Sequence, residues 1–481
     1  MATISSTGVG SGLDVNSIIT QLMAVEQLPL KQLQTDASGI NTQISSVGQI
    51  QSLTTTMGNK ADAINSLTLW RGVTNSSTDT SSVTADTSAG GATPGTYSVN
   101  VTNLAQSQTA TSGAFTSSAS TLNEGTLTIQ LGSWDRTATP PSFAGKSGSS
   151  AVTINIGAGE TSLASIRDKI NGAGAGVQAS IITDANGARL SIRSSDTGKE
   201  NGFKITANET TDDGTAGTGL SALVYDPSTA GASQLGLNQD ALNAKATVNG
   251  IAIESASNTL TGVSDGLNLT LVKATTSPVT VTISQDTDSI KKAITDWVSS
   301  YNSLSNYIKD QTKYDATTKK GGPLQGDPSI VGFQSQMRSM LNQNSTASST
   351  YARLSDIGIT IQSDGTLATD STKLGTALGN LTELKKVLTA TADTSAGQGF
   401  MVRFGSLADA ANTTDGRLDS RETGLKAELD RNSKQQDQMQ TRLDATQTRL
   451  QAQYQALDTQ MAKLNALSSY VSQQMAMLAK N

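Results

Sequence analysis

Apolar residues fall on a strict seven-residue spacing through the last part of the chain. Leu429, Leu443, Leu450, Leu457, Leu464, Val471 and Leu478 form one row, broken only by Gln436. Leu425, Met439, Tyr454, Met461, Leu467 and Met475 lie three or four residues away and widen the row into a seam that seeks a helical partner. No Pro interrupts the stretch, so the helix it predicts reaches on the order of 80 Å, further than one compact domain needs. The other end of the chain matches it: Leu13, Val15, Ile18, Ile19, Leu22, Val25 and Leu28 recur at helical spacing, with only Asp14 and Glu26 charged in the first thirty residues. The terminal row loses charge in the same way, since after Arg449 only Asp458, Lys463 and Lys480 are charged. A self-sufficient coiled coil normally carries Glu and Lys beside its seam to fix partner and register. Two bare helical ends therefore read as made for each other and for neighbours.

Between the ends the period changes twice. The first helical block runs to about Leu67, with a break at Pro29 and a second piece from Lys31, and Gly39, Gly48 and Gly58 weaken it. After Trp70 alternation takes over, at Tyr97, Val99 and Val101, at Leu127, Ile129 and Leu131, and at Val152, Ile154 and Ile156. A short helix around Leu163, Ile166 and Ile170 precedes a hairpin at Asn186-Gly187, and Val248-Asn249-Gly250-Ile251 signals another. From Asp288, a candidate N-cap, the helical period returns through Ile290, Ile294, Trp297, Tyr301, Leu304 and Ile308. Asp327-Pro328 opens a further helix, Asp364-Gly365 turns a hairpin, Leu374 to Leu388 predict one helix and Phe400 to Leu407 another.

The order predicts an α+β multidomain fold, a helical stem or coiled coil from both chain ends with β-rich head domains inserted between. Its parts are 1–40 with 435–481 as terminal coiled-coil leg segments and 41–72 with 285–434 as a helical leg domain. A β-rich head domain of 73–100 with 240–284 and a second one inserted at 101–239 complete the division.

Composition narrows the function. The chain has 481 residues, 15% charged and 4% aromatic, with a net charge of −6, which offers no basic field to nucleic acid or an anionic membrane. No run nears the roughly 18 apolar residues of a membrane span, and no secretion signal opens the chain, so an exported protein of this kind uses another route. Cys and His are both absent. That removes disulfides, thiolate metal sites and the commonest general base and metal ligand.

Candidate sites are weak. The glycines from Gly8 to Gly12 lack the flanking strand and Lys of a phosphate loop, and Gly172, Gly174 and Gly176 read as a connection. Asp212-Asp213-Gly214 lacks the spaced acids of a calcium loop and reads as an exposed turn. Tyr301, Tyr307 and Tyr314 suggest packing, and the Asn-X-Ser/Thr patterns at Asn75, Asn100 and Asn268 are what a Ser/Thr-rich chain produces by chance. No catalytic, cofactor or metal constellation is expected. The candidate contacts are instead assembly residues on the two ends: Leu13, Val15, Ile18, Ile19, Leu22, Leu443, Leu450, Tyr454, Leu457, Met461, Leu464, Val471 and Leu478.

Several stretches, in order, resemble one family. Gly10–Leu30 (GSGLDVNSIITQLMAVEQLPL), Pro94–Ala105 (PGTYSVNVTNLA) and Ile170–Ser180 (INGAGAGVQAS) are followed by Thr270–Ala274 (TLVKA), Tyr301–Leu304 (YNSL), Gly322–Asp327 (GPLQGD) and Leu354–Thr360 (LSDIGIT). Together they are similar to the flagellar filament cap family, also called the hook-associated protein 2 family, over nearly the whole length. The resemblance implies a secreted, extracellular homo-oligomer at the flagellum tip, a ring of about four to six subunits with β-rich heads above helical legs. It implies flagellin, the flagellar export apparatus and its chaperone as partners, with a host glycan or mucin as a further candidate, and no nucleic acid, membrane insertion, cofactor or covalent chemistry. A hook-filament junction protein and a glycan-binding surface adhesin are the alternatives.

Overall fold

The structure, a computed structural model, describes residues 14–88, 91–212, 214–317 and 319–478. Contacts divide the chain into two compact units, one of the segments ending at Trp70 and beginning at Thr287, the other Arg71–Asp286.

The first unit is helical. Helix Val15–Glu26 starts where Asp14 accepts a hydrogen bond from the Ser17 N–H at 3.0 Å, satisfying one of the free donors of its first turn. It ends at Glu26, and Leu28–Asn65 follows as one helix of 38 residues. The expected restart at Lys31 therefore lies three residues too late: Pro29 sits in the first turn, where its fixed φ suits a helix and its missing N–H is not needed. The glycines do not break this helix, and Gly58 has a packing reason. A Cβ there would meet the Ala408 Cβ at 2.7 Å, so Gly58 lets helix Leu28–Asn65 approach helix Phe400–Asn412 closely.

Helix Thr287–Thr312 opens one residue before the expected cap, leaving Asp288 in the first turn against the positive end of the helix. Asp327 does cap helix Pro328–Leu341, accepting from the Ser329 and Ile330 N–H groups, and its second oxygen takes the Arg421 guanidinium at 2.5 Å. The hairpin at Asp364-Gly365 joins Ile359–Ile361 to Leu367–Thr369. The single helix expected over Leu374–Leu388 is two, Ser371–Leu378 and Leu381–Thr389, because the chain turns at Gly379 and the Asn380 side chain caps the second. These elements enclose one core in which Ile50, Met57, Ile64, Trp297, Tyr301, Phe333, Phe400 and Phe404 are fully buried. Trp297 and Phe404 meet edge to face with ring centres 4.9 Å apart.

A connection on this unit carries the clearest acid dependence. The half-buried Glu383 carboxylate takes the Lys386 ammonium, the Ser348 hydroxyl and the Ser349 N–H and hydroxyl, which hold its pKa down to about 2. A carboxyl depressed on folding stabilises the fold above its unfolded value of about 4.3, and the contribution disappears as pH falls towards the folded value. Thermal unfolding of the wild type should therefore weaken between about pH 5 and about pH 2 more steeply than that of Glu383→Gln. Parallel curves would contradict this.

The second unit is built of antiparallel sheets around two separate apolar cores. One core joins a five-stranded sheet, in the order Val73–Ser77, Val279–Gln285, Gly95–Asn103, Ala244–Val248, Ile251–Ser255, to the three strands Thr259–Ser264, Leu267–Leu271 and Val83–Thr87. Its inward residues are the alternating ones of the sequence, among them Val99, Val101, Leu267, Leu269, Val281 and Ile283. The turn Asn249-Gly250 has both φ values positive, at 50° and 82°, as a two-residue hairpin of type I′ requires.

The other core lies in the intervening chain. There Gly125–Asp135 pairs with Gly202–Glu209, Ser142–Gly145 and Val152–Ile156, and Gly187–Ser194 pairs with Val177–Asp184 and Thr109–Thr111. Helix Leu163–Gly172, capped by Ser162, buries Leu163, Ile166 and Ile170 against them, as expected. The hairpin loop is Ala185-Asn186, one residue earlier than the expected Asn-Gly, because Gly187 already pairs with Asp184.

Candidate assembly surface

One helix, Arg417–Leu478, spans 62 residues, about 90 Å at the usual rise. Its environment changes along its length. Leu418 and Leu425 are buried in the core of the helical unit, and Leu429 packs against it. Next comes a polar layer. Gln436, the one polar position of the heptad row, donates to the Asn432 Oδ1 at 2.6 Å and the Leu33 carbonyl at 3.4 Å, with Asn432 itself buried.

Below that layer a small apolar cluster forms from both chain ends. Val15, Ile19, Met23 and Leu443 are buried, and Leu30, Met439, Leu450 and Tyr454 pack around them. The structure thus brings Val15, Ile19, Leu443, Leu450 and Tyr454 of the candidate contacts together. Ile18 is half-buried and Leu22 exposed, on the flank of the first helix. Leu13 lies outside the described residues, as do the glycines from Gly8 to Gly12. Met23, Leu30 and Met439 complete the cluster beyond the candidate contacts. Met23 had a signal, since it follows Val15 and Ile19 at intervals of eight and four.

Past Tyr454 the row has no partner among the described residues. Leu457, Leu464 and Val471 are 43%, 58% and 51% exposed, and Leu467, Tyr470, Met475 and Met477 are exposed beside them, while Met461 is half-buried. Leu478 ends the helix, and its side chain lies outside the described residues. The first helix and its junction add Val25 and Leu28, also exposed. Charge follows the same division. Lys426–Glu422 and Lys434–Asp430 pair one turn apart in the proximal part of the terminal helix, whereas beyond Arg449 the described residues include only Asp458 and Lys463 as charges. Isolated exposed leucines are ordinary, but a contiguous apolar, charge-poor row of this length on one helix is not.

The remaining candidates resolve into structure. Asp212 accepts from the Gly214 N–H at 2.8 Å in an exposed turn, and Asp213 lies outside the described residues. Tyr301 is a core residue whose phenol burial pushes up to about 12, and Tyr307 packs on the same core. Tyr314 departs from the helical spacing, exposed on the short strand Tyr314–Asp315. Among the described residues no group of acids is placed to hold a metal ion, and no helix is long and apolar enough to cross a membrane.

Comparison with known proteins gives consistent matches. Residues 241–466 match the family described as flagellar hook-associated protein 2 C-terminus, 11–108 its N-terminus, and 142–196 the flagellin hook IN motif. The chain is 36% identical to the flagellar hook-associated protein 2 of Escherichia coli K12, covering 98% of each chain. It is 31% identical to that of Salmonella typhimurium over the full length of both. The crystal structure of the D1-D2-D3 domains of the flagellar cap protein FliD from Escherichia coli aligns with a TM-score of 0.57 and 34% identity, covering 79% of this chain and 99% of that one.

Proposed function

We infer the function from one premise: this chain belongs to the flagellar hook-associated protein 2 family. It is the oligomeric cap at the distal tip of the bacterial flagellar filament, promoting the folding and insertion of exported flagellin subunits. The solved Escherichia coli relative is described as a flagellar cap protein, and the alternatives of a junction protein or an adhesin gain nothing from the comparisons.

The observation that carries the mechanism is the row beyond Tyr454, apolar, exposed and nearly free of charge. We read it, with the first helix, as a leg that meets neighbouring subunits. Charge pairs would lock one register, whereas an uncharged seam tolerates several, so legs can release and rebind as each flagellin enters. This work needs positioning rather than covalent chemistry, in keeping with a chain that lacks His and Cys.

The same reading includes a ring of about four to six subunits, passage through the flagellar export apparatus with its chaperone, an extracellular location, and a host glycan or mucin as a further contact of the β-rich heads. It keeps the four-part division at 1–40 with 435–481, 41–72 with 285–434, 73–100 with 240–284, and 101–239. Four separate apolar clusters support four parts, although strand Gly95–Asn103 with Val101 packs in the first β-rich core and Ile40 in the core of the helical unit, so those boundaries fall a few residues off. The test is a strain lacking this protein. Flagellin monomer in the medium and absent filaments are expected; intact filaments would reject the cap.

A further inference from the structure

The chain contains four Asn-Gly pairs, at Asn171, Asn186, Asn201 and Asn249, and all four lie in the β-rich unit. An Asn followed by Gly can cyclise, because no side chain shields the following backbone nitrogen. What differs among the four is how the fold holds the carboxamide.

Asn171 is held at both ends: its Nδ2 donates to the Ala179 carbonyl at 2.9 Å and its Oδ1 accepts from the Ala179 N–H at 2.7 Å. Asn201 is buried and equally tied, donating to the Thr197 carbonyl and accepting from the Lys146 ammonium, each at 2.6 Å. The Oδ1 of Asn249 accepts from the Ser98 N–H at 2.8 Å, anchoring that turn to the neighbouring strand. Asn186 sits exposed in the two-residue loop between Val177–Asp184 and Gly187–Ser194. Its backbone N–H is fixed by the Asp184 Oδ1 at 2.7 Å, but its carboxamide makes no hydrogen bond to the described residues.

We propose that Asn186 is a site of spontaneous covalent modification by deamidation, the one Asn-Gly pair of this chain whose carboxamide no hydrogen bond to the described residues holds. The Gly187 nitrogen attacks the Asn186 Cγ, the amide nitrogen leaves as ammonia with the proton lost from Gly187, and a cyclic succinimide forms. Water then opens either carbonyl, giving aspartate or isoaspartate, with nothing oxidised or reduced. Either product places a new carboxylate two residues from Asp184. Isoaspartate also adds one carbon to the main chain of a loop that admits only two residues, so the register from Ile181–Leu190 to Asp184–Gly187 must loosen.

The test ages the full chain in mildly alkaline buffer and follows each Asn-Gly peptide by mass spectrometry, natively and in denaturant. Native conversion at Asn186 should exceed that at each of the other three sites by at least about tenfold, and in denaturant all four should agree within about threefold. Asn186→Gln, whose longer side chain closes a ring slowly, should remove the native signal, and its exposed site leaves folding intact. Gly187→Ala is a poor control, since a Cβ there would collide with the Phe115 carbonyl. Equal native rates, faster conversion at another pair, or a tenfold preference that persists in denaturant would overturn the assignment.

Discussion

A chain ending at residue 442 should leave cells without filaments and with flagellin monomer in the medium, while the truncated protein itself stays folded. The removed segment carries Leu443, Leu450 and Tyr454, three of the four terminal-helix residues that form the small cluster with Val15, Ile19 and Met23, and all of the exposed row beyond it; of the four only Met439 stays. The retained segment keeps Leu418, Leu425 and Leu429, the residues that bind the terminal helix to the core of its own unit. Loss of function should therefore be complete while the unfolding midpoint of the remaining helical unit moves by no more than about 3 °C, the change that about 1 kcal/mol makes in a unit of this size. Filaments of normal number, or a truncated chain that no longer folds, would contradict the separation of leg from core.

The second large effect lies in that core. Trp297→Ala should destabilise the helical unit by about 3–5 kcal/mol, since it opens a cavity beside Tyr301 and Phe404 in a region with no solvent access. Trp297→Phe should cost much less, about 1–2 kcal/mol. The indole N–H is buried without a hydrogen-bond acceptor among the described residues, so replacing it breaks no bond and removes an unsatisfied donor. Denaturant unfolding of the two variants measures the difference; equal losses would mean that the indole N–H contributes a bond of its own.

Periodicity made much of this architecture legible. The alternation at Val99-Val101, Leu127-Ile129 and Ile154-Ile156 marks strands whose inward residues are indeed buried, because a strand with one wet face must alternate. Asp327-Pro328 and Asn249-Gly250 signalled their cap and turn because each residue type satisfies a specific backbone need. What pattern could not supply was boundary and break. Leu374 to Leu388 keeps helical spacing across Gly379-Asn380, and only the Asn380 cap reveals that two helices meet there. Pro29 looked like a stop when it is a start, since the same ring ends one helix and suits the first turn of the next.

The surface was legible in one respect and hidden in another. The seven-residue row specified which face of the terminal helix is apolar, but the spacing is identical on both sides of Tyr454. Partnership depends on which part of the row the first helix packs against, a tertiary fact, and so the sequence could not distinguish the buried Leu443 from the exposed Leu464. Gln436 was visible only as a flaw in the row. The structure makes it a polar layer with Asn432 and the Leu33 carbonyl, separating the core of the helical unit from the cluster formed by the chain ends. Such a layer opposes continuous apolar packing and suits a leg that acts apart from the body it is joined to.

Amide hydrogen exchange across 457–477, compared between the free protein and the protein seated on filament ends, tests the leg most directly. In the free chain this segment should exchange far faster than 290–308, which lines the buried core, because its apolar row is exposed and has no partner among the described residues. On the filament end its protection should rise as neighbours cover the row. Strong protection across 457–477 already in the free protein, or exchange unchanged by assembly, would show that these residues are not the surface through which the cap engages its filament.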